Sequence, residues 1–79
     1  MKVSDSALIA HVRNILLKDV RTAGQMIDVL ASEGVILLFG TCDEDYQAHV
    51  AITLTKGIVG VVDVIDKITR HNLTLEKAA

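Results

Sequence analysis

The feature that most constrains the fold is the run Gly-Val-Ile-Leu-Leu-Phe-Gly at residues 34–40. A strand with one face on a core and the other in water alternates apolar and polar residues, whereas this run places five large apolar residues in succession. Both faces of the predicted strand are therefore apolar. A chain of 79 residues has a thin interior, because it buries only about 60% of the surface that its unfolded form exposes. The sequence thus raises the question of what covers the second face.

The amino-acid composition limits the kinds of function that the chain can have. Apolar residues make up 51% of the chain, and a mean hydropathy of +0.43 is high for one small domain. Either the packing is very efficient, or apolar surface is shared with a partner. The formal charge of −2 provides no electrostatic footprint for nucleic acid. The one cysteine, Cys42, has no partner for an internal disulfide and too few companions for a zinc site.

Hydrophobic periodicity predicts five elements. In chain order they are a helix over 5–18, a strand over 26–32, a strand over 35–40, a helix over about 42–56 and a strand over 61–68. Ser4 or Asp5 is placed to cap the first helix, and Glu33-Gly34 predicts a tight turn that makes the first two strands antiparallel. Thr41 followed by Glu44 predicts a capping box at the second helix.

This order predicts a two-layer α/β sandwich of the α+β class. A strand–helix–strand unit takes a right-handed crossover with parallel strands, so the sheet is three-stranded and mixed, with both helices on one face. We expect a single domain over residues 1–79, with its core over about 4–68 and a C-terminal tail over 69–79.

The other face of this sheet is then open and apolar. Its candidate contact residues are Leu30, Leu37, Phe39, Val61 and Ile65. There are three alternatives for the open face. It contacts a partner or a second copy, it is covered by a tail that folds back with Leu73 and Leu75, or it is exposed to solvent. Burial of each Leu or Phe is worth about 1.5–3 kcal/mol, which favours contact, and symmetric dimers are the commonest way to obtain it.

The glycines and aliphatic residues of both strand regions resemble those of the BON domain family (bacterial OsmY and nodulation). The positions that carry the resemblance are Gly34, Val35, Ile36, Leu38, Gly40, Gly60, Val61, Val64, Asp66 and Ile68. The family usually has polar residues between its strand aliphatics, where this chain has Leu37 and Phe39. The three glycines Gly34, Gly40 and Gly60 are interpreted as structural, since no phosphate-binding spacing is present.

The resemblance covers about residues 4–68 and implies an αββαβ fold without catalytic activity. It also implies association with phospholipid surfaces, with osmotic stress protection and with other proteins. Matched to the family, the second helix faces the sheet with Ala51, Leu54, Thr55 and Ile58. Periodicity alone allows a stripe of Tyr46, Val50 and Leu54 equally well.

Chemistry-bearing residues show no convergent pattern. His11, His49 and His71 fall on different predicted elements without metal-type spacing, and nothing pairs one of them with Cys42 as a nucleophile. The acidic run 43–45 suits a helix start better than a calcium loop. We therefore expect no catalytic residue, no metal and no cofactor. A regulatory domain that binds a small ligand between subunits remains the alternative function.

Basic residues collect in the last third of the chain. They are Lys56, Lys67, Arg70 and His71. A weak patch for lipid headgroups is one interpretation, and a solvated surface is favoured because Asp63 and Asp66 are interleaved with them.

The cellular location that we expect for the protein depends on whether the chain is a trimmed part of an exported protein. Polar residues such as Asp5 and Arg13 stand where a secretory signal needs an apolar stretch, so the chain as written is expected in the cytoplasm. The resemblance suggests the periplasm or cell envelope if the chain derives from an exported protein.

Overall fold

The computed structural model describes residues 3–72, which form two helices and a three-stranded sheet. The elements are α1 (Asp5–Lys18), β1 (Met26–Ser32), β2 (Val35–Cys42), α2 (Asp45–Lys56) and β3 (Asp63–Arg70). The predicted αββαβ order and α+β class are confirmed. The suggestion that Leu73 and Leu75 cover the sheet lies outside the described residues.

The central strand of the sheet is β2, so the apolar run is paired on both sides. It is antiparallel to β1, with Leu38 opposite Val29, and parallel to β3, with Leu38 beside Asp66. The hairpin turn has φ of 53° at Glu33 and 82° at Gly34. Two successive positive φ values match the twist of the flanking strands.

The first helix is tied to that turn. Ser4 caps α1 by accepting a hydrogen bond from the Ala7 amide at 3.2 Å. The Asp5 carboxylate, in the first turn of α1, accepts hydrogen bonds from the amides of Glu33 at 3.1 Å and Gly34 at 3.2 Å. One side chain therefore joins the start of the helix to the tip of the hairpin.

Both helices pack on one face of the sheet, called here the inner face. The buried apolar residues are Leu8, Val12 and Leu16 of α1, Val29, Ile36, Leu38, Cys42 and Ile68 of the strands, Ala48 and Ala51 of α2, and Ile58. Ala48, Ala51 and Thr55 are the α2 residues against the core, while Tyr46 is 55% exposed. The inward face matched to the family is therefore the observed one, although Leu54 is only partly buried.

The second helix starts later than predicted. Its N-cap is Glu44, which forms a capping box with Gln47, and the Glu44 amide donates to Gln47 Oε1 at 2.9 Å. The prediction of Thr41 as N-cap is wrong because β2 continues to Cys42, so that Thr41 is paired with Thr69 of β3.

The third strand spans Asp63–Arg70 rather than 61–68. Its parallel register places Asp63 beside Val35, the first residue of β2. Before the strand, the Val62 amide donates to the Gly34 carbonyl at 2.8 Å, and Val61 packs against the core. The lead into β3 is thus a link to the hairpin turn.

Gly40 lies inside β2 with φ of 104°. A Cβ atom there would collide with the carbonyl oxygen of Met26 on the neighbouring strand. Gly34 and Gly60 also have positive φ. None of the helices within residues 3–72 combines the length and the apolar character that a bilayer span requires.

Candidate interaction surface

The face of the sheet opposite the helices, called here the outer face, is formed by four rows of side chains. Along the strands the rows are Ser32–Val35–Asp63, Leu30–Leu37–Ile65, Asp28–Phe39–Lys67 and Met26–Thr41–Thr69. Each row takes one residue from every strand, because strand partners share a face.

The second row, called here the apolar row, is the centre of the candidate surface. Leu30 is 54% exposed and Ile65 is 43% exposed, with Leu37 half-buried between them. With Val35, Ala31 and Ser32 they line an open depression of about 360 Å³. Since its lining is almost wholly aliphatic, this depression suits another apolar surface better than a polar small ligand.

The third row, called here the charged row, places opposite charges on the two edge strands. Asp28 lies on β1 and Lys67 on β3, with the half-buried ring of Phe39 between them. Asp28 Oδ1 accepts hydrogen bonds from the Val29 amide at 2.8 Å and from Arg13 at 3.1 Å. These bonds lower the pKa of Asp28, the Val29 amide having the largest effect, so the carboxylate is charged at neutral pH.

Four of the five predicted contact residues meet on the outer face: Leu30, Leu37, Phe39 and Ile65. Val61 does not, because it precedes β3 and packs against the core. Sequence reasoning left Asp28 out and treated Lys67 as part of a basic patch. Only the pairing register reveals that they share a row with Phe39, since the two residues lie far apart in the chain.

Side chains form hydrogen bonds with several backbone amide and carbonyl groups along the free edge of β3. The Val64 amide donates to Asp63 Oδ1 at 2.8 Å, and the Ile68 amide donates to Asp66 Oδ1 at 3.0 Å. The Ile68 carbonyl accepts from Arg70 Nη1 at 2.8 Å. On β1, Asp28 engages the Val29 amide in the same way. Occupied edge groups oppose the addition of another strand, so the outer face rather than an edge is the accessible surface.

Arg70 fastens this edge to the second helix. It forms an ion pair with Asp66 at 2.7 Å and another with Asp45, at the start of α2, at 3.0 Å. The hydrogen bond from Arg70 is the main cause that lowers the pKa of Asp66. Of the basic residues weighed as a patch for lipid headgroups, Arg70 is therefore already engaged in ion pairs with acidic neighbours, which agrees with the favoured interpretation of a solvated surface.

Reactive side chains are dispersed. Burial raises the pKa of the Cys42 thiol, and its Sγ donates to the Glu44 carbonyl at 3.2 Å. His49 contacts Asp45 at 3.0 Å on an exposed part of α2, and His11 and His71 are exposed elsewhere. Across residues 3–72, no three His, Cys, Asp or Glu side chains gather in a group that could hold a metal ion.

An αββαβ sandwich whose sheet has one helix-covered face and one open apolar face defines a class of small α+β binding domains. The chain belongs to the BON domain family, whose model matches residues 4–71. BON domains are generally non-catalytic modules, associated with the binding of phospholipids or proteins. A search of curated proteins found no match.

Proposed function

We propose that this BON domain is a docking module that self-associates through its outer face. The observation that carries the proposal is the apolar row, in which Leu30, Leu37 and Ile65 stand side by side across all three strands. No element within residues 3–72 packs over them, since both helices lie on the inner face. A contiguous apolar patch of this kind marks an interaction site.

The size of the outer face determines the affinity that we expect for self-association. Three strands of seven or eight residues present a flat surface of roughly 14 Å by 26 Å, which is less than half of the roughly 800 Å² per partner that stable interfaces bury and is typical of weak, transient association. Burial of each large side chain is worth about 1.5–3 kcal/mol before the costs of association are subtracted. We therefore expect a dissociation constant in the micromolar range.

The charges on the face favour a protein surface over an anionic membrane. Asp28 and Asp63 accompany Lys67 on the outer face, and Asp28 is paired with Arg13 of α1, so the face carries no cluster of basic residues. Anionic lipid headgroups attract clusters of basic residues and repel carboxylates. A second copy of the chain instead offers a flat apolar surface of matching dimensions.

Sedimentation equilibrium over a wide concentration range tests the proposal. We expect the wild-type chain to dimerise and the double variant Leu37→Thr/Phe39→Thr to remain monomeric and folded, because Thr retains β propensity. The matched control is Leu17→Gln/Tyr46→Gln. It also removes one leucine and one aromatic ring, from helix positions that are 68% and 55% exposed.

Each outcome has a defined meaning. If both doubles dimerise like the wild type, the outer face is not the docking surface. If the wild type is monomeric throughout, self-association is excluded, and flotation with phosphatidylglycerol-containing liposomes then tests a phospholipid surface. If the outer-face double unfolds, its side chains belong to the core, and the assignment of the face is wrong.

A further inference from the structure

We propose that two copies stack face to face about a two-fold axis parallel to β2, so that Asp28 of each copy lies opposite Lys67 of the other. This arrangement rests on the proposed self-association and specifies its geometry. Asp28 and Lys67 then act as specificity determinants that fix how the two faces are superposed.

The row pattern of the outer face favours this axis. A two-fold axis above β2 exchanges the two edge strands and leaves every row facing its own counterpart. Leu30 then meets Ile65 of the second copy, while Leu37 and Phe39 each meet themselves. All four rows overlap, and the strands of the two sheets run nearly aligned, which is a common geometry for stacked sheets.

Charge complementarity distinguishes this axis from its alternatives. With the axis parallel to β2, both copies of Asp28 face Lys67, and Asp63 faces the neutral Ser32. An axis perpendicular to the strands and midway along them also overlaps all four rows. It sets the charged row against the apolar row, however, so that Asp28 faces Leu30 and Lys67 faces Ile65. Lys67 has no ion pair within residues 3–72, and burial of its charge against an aliphatic side chain is unfavourable.

A perpendicular axis through the apolar row is the remaining option. It pairs Lys67 with Asp63 of the second copy, but it places Asp28 opposite Ser32 and leaves the row of Met26 beyond the contact. The arrangement about β2 therefore combines full overlap with paired charges, whereas each perpendicular arrangement loses one of the two.

The local bonds of the two charged residues suit this role. The three hydrogen bonds that Asp28 accepts from the Val29 amide and from Arg13 all use its Oδ1 atom and hold the carboxylate in place. Lys67 forms no ion pair within residues 3–72, and its ammonium group is available to a second copy. The occupied edge groups of β3 oppose the competing edge-to-edge association.

Charge reversal tests the arrangement. Asp28→Lys and Lys67→Asp should each weaken the homodimer by about tenfold, because two opposite-charge pairs become two like-charge pairs. An equimolar mixture of the two variants should form a heterodimer close to wild-type affinity, since both pairs are then opposite in charge. Asp63→Lys is the control on the same face and should change the affinity less than about twofold. Sedimentation equilibrium, with one variant carrying a fluorescent label in the mixture, measures all four.

The outcomes separate this inference from the proposed function. A wild-type chain that stays monomeric overturns the self-association and the geometry together. A wild-type dimer whose charge-reversed variants do not recover affinity on mixing overturns the two-fold axis while the self-association stands. If Asp63→Lys weakens the dimer and Asp28→Lys does not, the axis is perpendicular to the strands. Because recovery on mixing requires both variants to be folded, it excludes misfolding as the cause of the single losses.

Discussion

Along β2, the two faces of the sheet carry the same kinds of apolar residue and differ in what lies against them. Leu38 on the inner face is 0% exposed, whereas its neighbour Leu37 is half-buried on the outer face and does not belong to the core cluster. Ile36 and Val35 form a similar pair one step earlier in β2. Apolar side chains alone therefore do not define the core of this domain. The core is the side that both helices cover, and neither helix covers the other side.

Disruption of β2, the strand that carries both faces, should have the largest effect on stability. We expect Gly40→Val to destabilise the domain by about 4 kcal/mol or more, because its side chain would collide with the Met26 carbonyl from a backbone with positive φ. Gly24→Ala is the control, since a Cβ there meets nothing within 4 Å. Urea denaturation followed by circular dichroism measures both variants. A folded Gly40→Val domain with wild-type stability would contradict the packing described for β2.

Truncation of one leucine on each face compares what the two faces contribute to the free energy of unfolding. We expect Leu38→Ala to lower the free energy of unfolding by about 3 kcal/mol, because the methyl groups removed leave a cavity in the core. Leu37→Ala should cost less than about 1 kcal/mol in the monomer and should weaken association instead. Urea denaturation at concentrations well below the dissociation constant separates the two effects. Equal losses at both positions would mean that the outer face is packed within one chain.

A smaller loss of stability is expected at the β3 edge of the sheet. Arg70→Ala should lower stability by about 1 kcal/mol at pH 7, because it frees the Ile68 carbonyl and removes the ion pair with Asp66. The pKa of Asp66 is lowered in the folded state, so this stabilisation is present above about pH 4 and is lost as the pH falls through the lowered pKa. Urea denaturation at pH 7 and pH 3 should show a smaller difference between wild type and variant in acid, while the part due to the Ile68 carbonyl remains. A constant difference would exclude the ion pair as its source.

The smallest change in stability is expected at the β1 edge of the sheet. Arg13 and Asp28 form an ion pair whose side chains are 56% and 51% exposed. Exposed pairs contribute little, so Arg13→Ala should change the free energy of unfolding by less than about 0.5 kcal/mol. The same urea titrations compare it with Arg70→Ala. A loss as large as that of Arg70→Ala would show that β1, and not β3, has the more strongly fastened edge.

The elements with strong periodicity were predictable, and their junctions were less so. The bounds of α1 and β1 agree with the predicted ranges because local spacing and a Ser4 cap determine them. The start of α2 was misplaced because Thr41 and Glu44 satisfy a capping motif that strand pairing with β3 overrides. The start of β3 depends on its register with β2, a contact between distant parts of the chain. This is why Val61 was assigned to the wrong face and the charged row escaped notice.

The central position of β2 also has a consequence for aggregation. The segment Val35–Phe39 is uncharged, free of proline and rich in β-forming residues, which is the pattern of segments that nucleate cross-β assembly. In the folded sheet its backbone is paired with β1 on one side and with β3 on the other. Any opening that detaches β3 would expose one edge of this segment. The ion pair between Arg70 and Asp45 of α2 fastens the end of β3 to the second helix, and it thereby helps to keep this aggregation-prone segment covered.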